Sequence, residues 1–334
     1  MNHGLLTYTR TRNVGDDIQS IAAWQFLPRL DALADRDFLS EFRPSEPTRL
    51  IVNGWFSHRP ASFDIREAVT PLFISMHINA NPRASHARRA FTDVIRQSRP
   101  IRDLLCRHGP VGARDQPTYD FLKSVGVPSY LSGCLTLTLN REPGLVRGDD
   151  IVLVDVPPVI AERVRSLTER PVVELTHVLG RFTPAPHSFA AAQQVLRSYQ
   201  RAHVVITTRL HVALPSLALG TPVLLVRDGV EDPRFVPLGG LVHRFASDEL
   251  LRALSGRFLE DPPGNPSTHL TLRNELVDRV AAFTGKRPVA ATEGGEAVPP
   301  AVSMRRAWNS APIRHWSGFG WRWLRRTLAP RAGS

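Results

Sequence analysis

Lysine is almost missing from this chain. Of 42 basic residues, only Lys123 and Lys286 are lysine and the rest are arginine. That bias fits a GC-rich coding sequence better than selection for a polyanionic partner. Cysteine is nearly as scarce: Cys106 and Cys134 are the only two. Two are too few for a disulfide framework, so a reduced, cytosolic setting is expected. No window approaches about 18 consecutive apolar residues, so no membrane-spanning helix is expected. The opening MNHGLLTYTRTRNVGDD has no basic region ahead of a long apolar stretch, and no secretory signal is expected. Its glycine loop, Asn13-Val14-Gly15-Asp16, lacks both the GxGxxG and the Walker patterns, so neither dinucleotide nor ATP binding is indicated. No group of His, Cys, Asp or Glu has convincing metal-ligand spacing.

What is present is a soluble-type composition, 42% hydrophobic and 22% charged, over 334 residues. That length makes two domains the default expectation. The net charge of +11 is unevenly placed. Seven arginines and no acidic residue lie between Met304 and Ser334, leaving +4 over the preceding 303 residues. Four of the six tryptophans (Trp308, Trp316, Trp321, Trp323) lie among those arginines. Interleaved Trp and Arg suit a segment resting at a membrane interface. Stacking on single-stranded nucleic acid and docking on the protein's own body are the rival readings, and no nucleic-acid partner is expected.

Apolar runs alternate with helical spacing along most of the chain. Strands are expected at Leu5 to Thr9, Leu50 to Trp55, Leu72 to Ile78, Pro110 to Ala113 and Tyr130 to Ser132. Helices are expected after Asp16 or Asp17 as cap, at His86 to Gln97, at Ile101 to His108 and at Pro117 to Val125. Polar Asn140 to Asp149 marks a boundary, after which the alternation restarts. Such alternation builds parallel sheets. The expected domains are residues 1–142 and 150–285, followed by a flexible linker over 286–303 and a basic tail over 304–334.

The most informative stretch is HVVITTRLHVALPSLALGTPVLLV, His203 to Val226. It reads as strand, polar turn, small-residue helix, Gly/Pro break and strand, a βαβ unit with a buried parallel pair. Arg209 and His211 then fall where a strand's C-terminal end meets a helix N-terminus. Ligands bind at that edge of α/β sheets, and the free N–H groups there favour an anion. Arginine adds a planar fork of donors, and histidine a proton carrier near neutral pH.

The motifs NVGDDIQSIAA, NGWF (Asn53 to Phe56), VGARDQPTYDFLKSVGVPSYLSGCLTLTL (Val111 to Leu139), TTRLHVALPSLALGTPVLLV and DPRF (Asp232 to Phe235) together resemble the polysaccharide pyruvyl transferase family. The likeness spans nearly all of residues 4–285, and Arg-Leu-His before a small-residue helix and Gly-x-Pro is its most specific part. It implies an α/β fold of two Rossmann-like domains whose parallel sheets face each other across a cleft, as in GT-B enzymes. It also implies a bacterial transferase of cell-surface exopolysaccharide biosynthesis, moving the pyruvyl group of phosphoenolpyruvate onto two sugar hydroxyls as a cyclic ketal. Phosphoenolpyruvate would be a co-substrate, with no cofactor or metal. Arg209 would hold the donor's phosphate or carboxylate, and His211 would transfer a proton. Arg114, Thr208 and Arg234 are further donor-binding candidates. Asp16, Asn53 and His77 would face the acceptor, a sugar or lipid-linked oligosaccharide. Cys134 is expected to be packing. A cytoplasmic protein, peripheral at the inner face of the plasma membrane, is expected. A GT-B glycosyltransferase using a nucleotide-sugar, or a non-catalytic membrane-tethered adaptor, are the alternatives.

Overall fold

Buried Val, Ile and Leu runs set the frame, because strands covered on both faces read as continuous apolar sequence. The computed structural model describes residues 1–288 apart from 57, 181, 182, 184, 230–234 and 236–239. Arg234, most of the expected linker and the whole tail lie outside the described residues.

Two parallel sheets result. The first holds β1 (Asn2–Thr7), β2 (Ala32–Asp35), β3 (Thr48–Phe56), β4 (Val69–Ile78), β5 (Val111–Ala113) and β6 (Ser129–Leu131), in the order β2-β1-β3-β4-β5-β6. The second holds β7 (Ile151–Val154), β8 (Val172–Leu175), β9 (Val204–Thr207), β10 (Val223–Val226) and β11 (His243–Phe245), in the order β11-β10-β9-β7-β8. Every pairing is parallel. Strand order reverses between β1 and β3 in one sheet and between β7 and β9 in the other. Crevices open at the strand C-termini at such switch points.

The C-terminal edges of the two sheets meet. The Val14 amide donates to His177 O (2.9 Å) and the Leu179 amide to Arg12 O (2.7 Å), and Asn13 bridges Val178. Behind this seam α1 (Val14–Trp24) packs on α6 (Ala185–Arg201), with the Trp24 and Phe189 rings 5.8 Å apart. One continuous apolar cluster, including Leu5, Ile18, Val152 and Val212, runs through both units. The last helix, α10 (His269–Thr284), returns to the first unit. Arg273 donates from Nη1 to Leu137 O (2.7 Å) and from Nη2 to Asn140 Oδ1 (2.6 Å). The expected second domain, 150–285, therefore ends in a helix packed on the first.

Two expectations are corrected. The helix after the glycine loop starts earlier than Asp16 or Asp17: Asn13 is its cap, its Oδ1 accepting from the Gly15 amide (3.1 Å). Asp16 and Asp17 sit inside the first turn, both buried. The helix expected over His86 to Gln97 is only α2 (Phe91–Gln97). Arg88 takes a positive φ of 51° and Ala90 is extended, which breaks the turn before it. Among the described residues, no helix is long and apolar enough to cross a membrane.

Candidate functional site

The site is assembled from strand ends by register. Val154 pairs with Thr207, so Asp155 and Thr208, the residues that follow, stand side by side at the second switch point. Asp155 has φ +52°, an uncommon backbone state for a residue with a side chain. It organises the turn. Its carboxylate accepts from Arg209 Nε (3.0 Å) and from the His177 amide (3.1 Å), and its carbonyl accepts from Thr208 Oγ1 (2.8 Å). Burial works against the Asp155 charge, but hydrogen bonds from Thr176 and the His177 amide, with Arg209 nearby, hold its pKa below the usual range.

Arg209 is the N-terminal flank of α7 (Leu210–Ala218), and no side chain caps that helix. A helix N-terminus without a side-chain cap favours an anion. Thr208 spends its hydroxyl proton on Asp155, so it fastens the turn and offers no O–H to an anion. His211 departs from helical geometry (φ −84°, ψ 20°). The cause lies four residues on: Pro215 has no N–H for the His211 carbonyl and its ring crowds that carbonyl.

His211 reaches the first unit. Its Nε2 lies 3.4 Å from Arg114 Nη1; a guanidinium only donates, so the imidazole accepts there. The ring rests on Gly15, where an added Cβ would lie 3.0 Å from His211 Cβ and 3.1 Å from Nδ1. Glycine there permits that approach.

Arg114 follows β5, next to His77 because Met76 pairs with Ala113. It is 5% exposed. Its Nη1 donates to Gln19 Oε1 (3.0 Å), while Nε is buried without an acceptor among the described residues. Gln19, on α1, is the connector. It donates from Nε2 to Asp16 Oδ1 (3.3 Å), and its backbone carbonyl accepts from Asn53 Nδ2 (3.0 Å). Asn53 is thus fastened to α1, with its Oδ1 buried and unpartnered among the described residues. His77 Nδ1 lies 2.5 Å from Asp115 Oδ2, and Asp115 Oδ1 caps α4 (Gln116–Ser124) through the Thr118 amide. Burial opposes the Asp115 charge, yet the His77 hydrogen bond and neighbouring cations hold its pKa low. A carboxylate on Nδ1 orients the ring and sets its tautomer.

Of the expected residues, the structure gathers Arg209, His211, Arg114, Asp16, Asn53 and His77 along the two facing edges; Arg234 lies outside the described residues. Gln19, Asp155 and Asp115 were not anticipated. The run Arg114-Asp115 was visible as a charged strand end, but only the fold pairs Asp115 with His77. Cys134 is buried and accepts from Thr136 Oγ1 (3.2 Å), as packing. Among the described residues, no group of three or more His, Cys, Asp or Glu is placed to hold a metal ion.

Comparison with known proteins gives a match of residues 96–228 to the family model described as polysaccharide pyruvyl transferase. No curated protein matches the chain. Among solved structures, a functionally uncharacterized protein of Klebsiella pneumoniae is similar at 14% identity and TM-score 0.42, covering 74% of this chain and 93% of that one. The UDP-GlcNAc 2-epimerase of Methanocaldococcus jannaschii is similar at 12% identity and TM-score 0.43, covering 84% and 100%. The E. coli heptosyltransferase WaaC stands at 12% identity and TM-score 0.26, covering 85% and 99%. The α/β architecture itself is read from this chain's own two sheets.

Proposed function

From the match of residues 96–228 to the family model described as polysaccharide pyruvyl transferase, we propose that this chain transfers the pyruvyl group of phosphoenolpyruvate to two hydroxyls of a sugar. The observation that carries the reading is the meeting of Arg114, from one sheet, with His211, from the other, beside Arg209 and the open N-terminus of α7. A donor bearing both a phosphate and a carboxylate needs two anion clamps, and arginine suits each.

In this reading Arg209 and the α7 N–H groups hold one anionic group, and Arg114 holds the other. His211 delivers a proton to C3 of the enol, and C2 becomes electrophilic. A sugar hydroxyl attacks C2 as its proton passes to Asp16 or to the His77–Asp115 pair. Phosphate leaves with the C–O bond electrons, and the second hydroxyl adds to C2 to close the ketal as its proton passes to the departing phosphate. Gln19 holds Asp16 in step with Arg114. The tail over 304–334 supports a further proposal, docking on an anionic membrane surface where a lipid-linked acceptor would lie. Cosedimentation with anionic vesicles should then be lost on removing 304–334, and unchanged cosedimentation would sink the idea.

Thermal unfolding with phosphoenolpyruvate, against a panel of nucleotide-sugars, tests the donor. At 100 times its dissociation constant a ligand stabilises by about 2.7 kcal/mol. Stabilisation by phosphoenolpyruvate that weakens in Arg209→Ala supports the reading. Stabilisation by a nucleotide-sugar alone replaces it with glycosyl transfer.

A further inference from the structure

We propose that the acceptor is an acidic sugar, and that its carboxylate or phosphate is held by Arg36 and Arg59 at the C-terminal edge of the first sheet. This deepens the pyruvyl-transfer reading and rests on it for the word acceptor.

The arrangement follows from register. Thr7 pairs with Asp35, so the residues after β1 and β2 share one corner, and the loop after β3 joins them. Three guanidinium groups gather there. Arg36 is 3% exposed, with its Cζ 4.7 Å from the centre of the Tyr8 ring. Arg59 and Arg10 place their Cζ atoms 4.4 and 5.0 Å from the centre of one ring, Phe38. Arg36 donates from Nε to Asp37 Oδ1 (3.1 Å) and from Nη2 to Asp37 Oδ2 (2.9 Å), and Nη2 lies 2.8 Å from His58 Nδ1.

Donors are left over. Arg36 Nη1, Arg59 Nε and Trp55 Nε1 are all buried without an acceptor among the described residues. The Trp55 and His58 rings lie 4.9 Å apart at right angles, which links Trp55 to Arg36 through His58, while Arg59 joins the corner over Phe38. Neither Asp37 nor Asp35 answers them. Asp37 is committed to Arg36. Asp35 accepts from the Thr9 hydroxyl and the Asp37 amide, and burial raises its pKa, favouring its neutral form. A buried donor without a partner costs about 1–3 kcal/mol, more when charged. Three such donors among clustered arginines make a site short of one anion. Carboxylate and phosphate oxygens accept from such groups in the geometry arginine favours, and Trp55, half-buried, adds an aromatic ring beside them.

The corner is joined to the reaction edge. Tyr8, beneath Arg36, donates from its hydroxyl to Asn53 O (3.0 Å). Asn53 leads through Gln19 to Arg114, and the Asp16 charge acts on both Arg36 and Tyr8. An acid group anchored at Arg36 and Arg59 therefore belongs to a molecule reaching toward Asp16 and His77, on the unit opposite Arg209.

The test titrates glucuronate, glucose 1-phosphate and glucose into the full-length protein, its Arg59→Gln variant and the Arg10→Gln/Arg59→Gln double variant. Phosphoenolpyruvate is titrated in parallel into the same proteins and into Arg209→Ala. Arg36 is left intact, because removing it would strand the buried Asp37 carboxylate. The acid sugars should bind at least tenfold more tightly than glucose and lose at least tenfold in the double variant, and the tighter of the two identifies carboxylate or phosphate as the anchor. Glucose binding as tightly as the acid sugars, or acid sugars binding the double variant as well as wild type, overturns the subsite. If phosphoenolpyruvate does not bind through Arg209 while the acid sugars bind through Arg59, the donor reading fails and the anion subsite stands.

Discussion

Raising the pH from 5 to 8 should destabilise the wild-type protein by about 4 kcal/mol through Asp17 alone. Asp17 sits on α1 at its contact with α6, 1% exposed. Its Oδ1 accepts from Ser188 Oγ (2.8 Å), and Oδ2 has no partner among the described residues. Burial pushes its pKa up to about 8, against an unfolded carboxylate near 4. The folded chain therefore keeps the proton where the unfolded chain has lost it. The contribution is fully present below about pH 4 and fades as pH rises toward 8, at about 1.4 kcal/mol per unit. Urea denaturation of wild type and Asp17→Asn at pH 5, 6, 7 and 8 isolates this contribution, since every other titrating group is common to both proteins. The carboxamide cannot ionise, but its N–H groups lack an acceptor, at a cost of about 1–3 kcal/mol. Asp17→Asn should thus be the less stable protein at pH 5 and should close the gap or overtake by pH 8. Parallel pH profiles would refute the reasoning, because Asp17 would then be ionised alike in both states.

Gly15→Ala sets two effects against each other. Alanine is the better helix former by about 1 kcal/mol, but its Cβ would meet His211 at 3.0 Å, and overpacking costs about 1–3 kcal/mol. The melting temperature should change little or fall slightly while the phosphoenolpyruvate shift shrinks; an unchanged shift would mean that His211 placement does not matter for the donor. Gln19→Leu keeps the volume but removes the link between Asp16 and Arg114, stranding groups worth about 1–3 kcal/mol. Its stability should drop by about that amount, and donor binding should weaken tenfold or more; donor affinity equal to wild type would show that Arg114 needs no alignment.

What could be read from the sequence was whatever is local. The turn Thr208-Arg209-Leu210-His211 announced itself because an apolar strand and a small-residue helix flank it, and Arg114 because it ends a short strand. Asp155, Asp115 and Gln19 could not be read, since their roles depend on pairings across the fold, Val154 with Thr207 and Met76 with Ala113. The edge strands Ala32–Asp35 and His243–Phe245 are too short for a period to emerge. The sequence does not single out the Asn13 cap, because Asp16 and Asp17 are equally good capping residues and only the chain direction after β1 decides among them. The corner of Arg10, Arg36 and Arg59 was invisible for a simpler reason: one more arginine in an arginine-rich chain carries no signal until two of them stack on Phe38.

Calorimetric titration of phosphoenolpyruvate shows whether the seam between the two sheets clamps a donor with two anionic groups, as proposed. Wild type should bind, and Arg209→Ala and Arg114→Ala should each lose at least tenfold, one arginine per anionic group. Binding that survives both substitutions, or no binding to wild type, would rule out the two-arginine clamp.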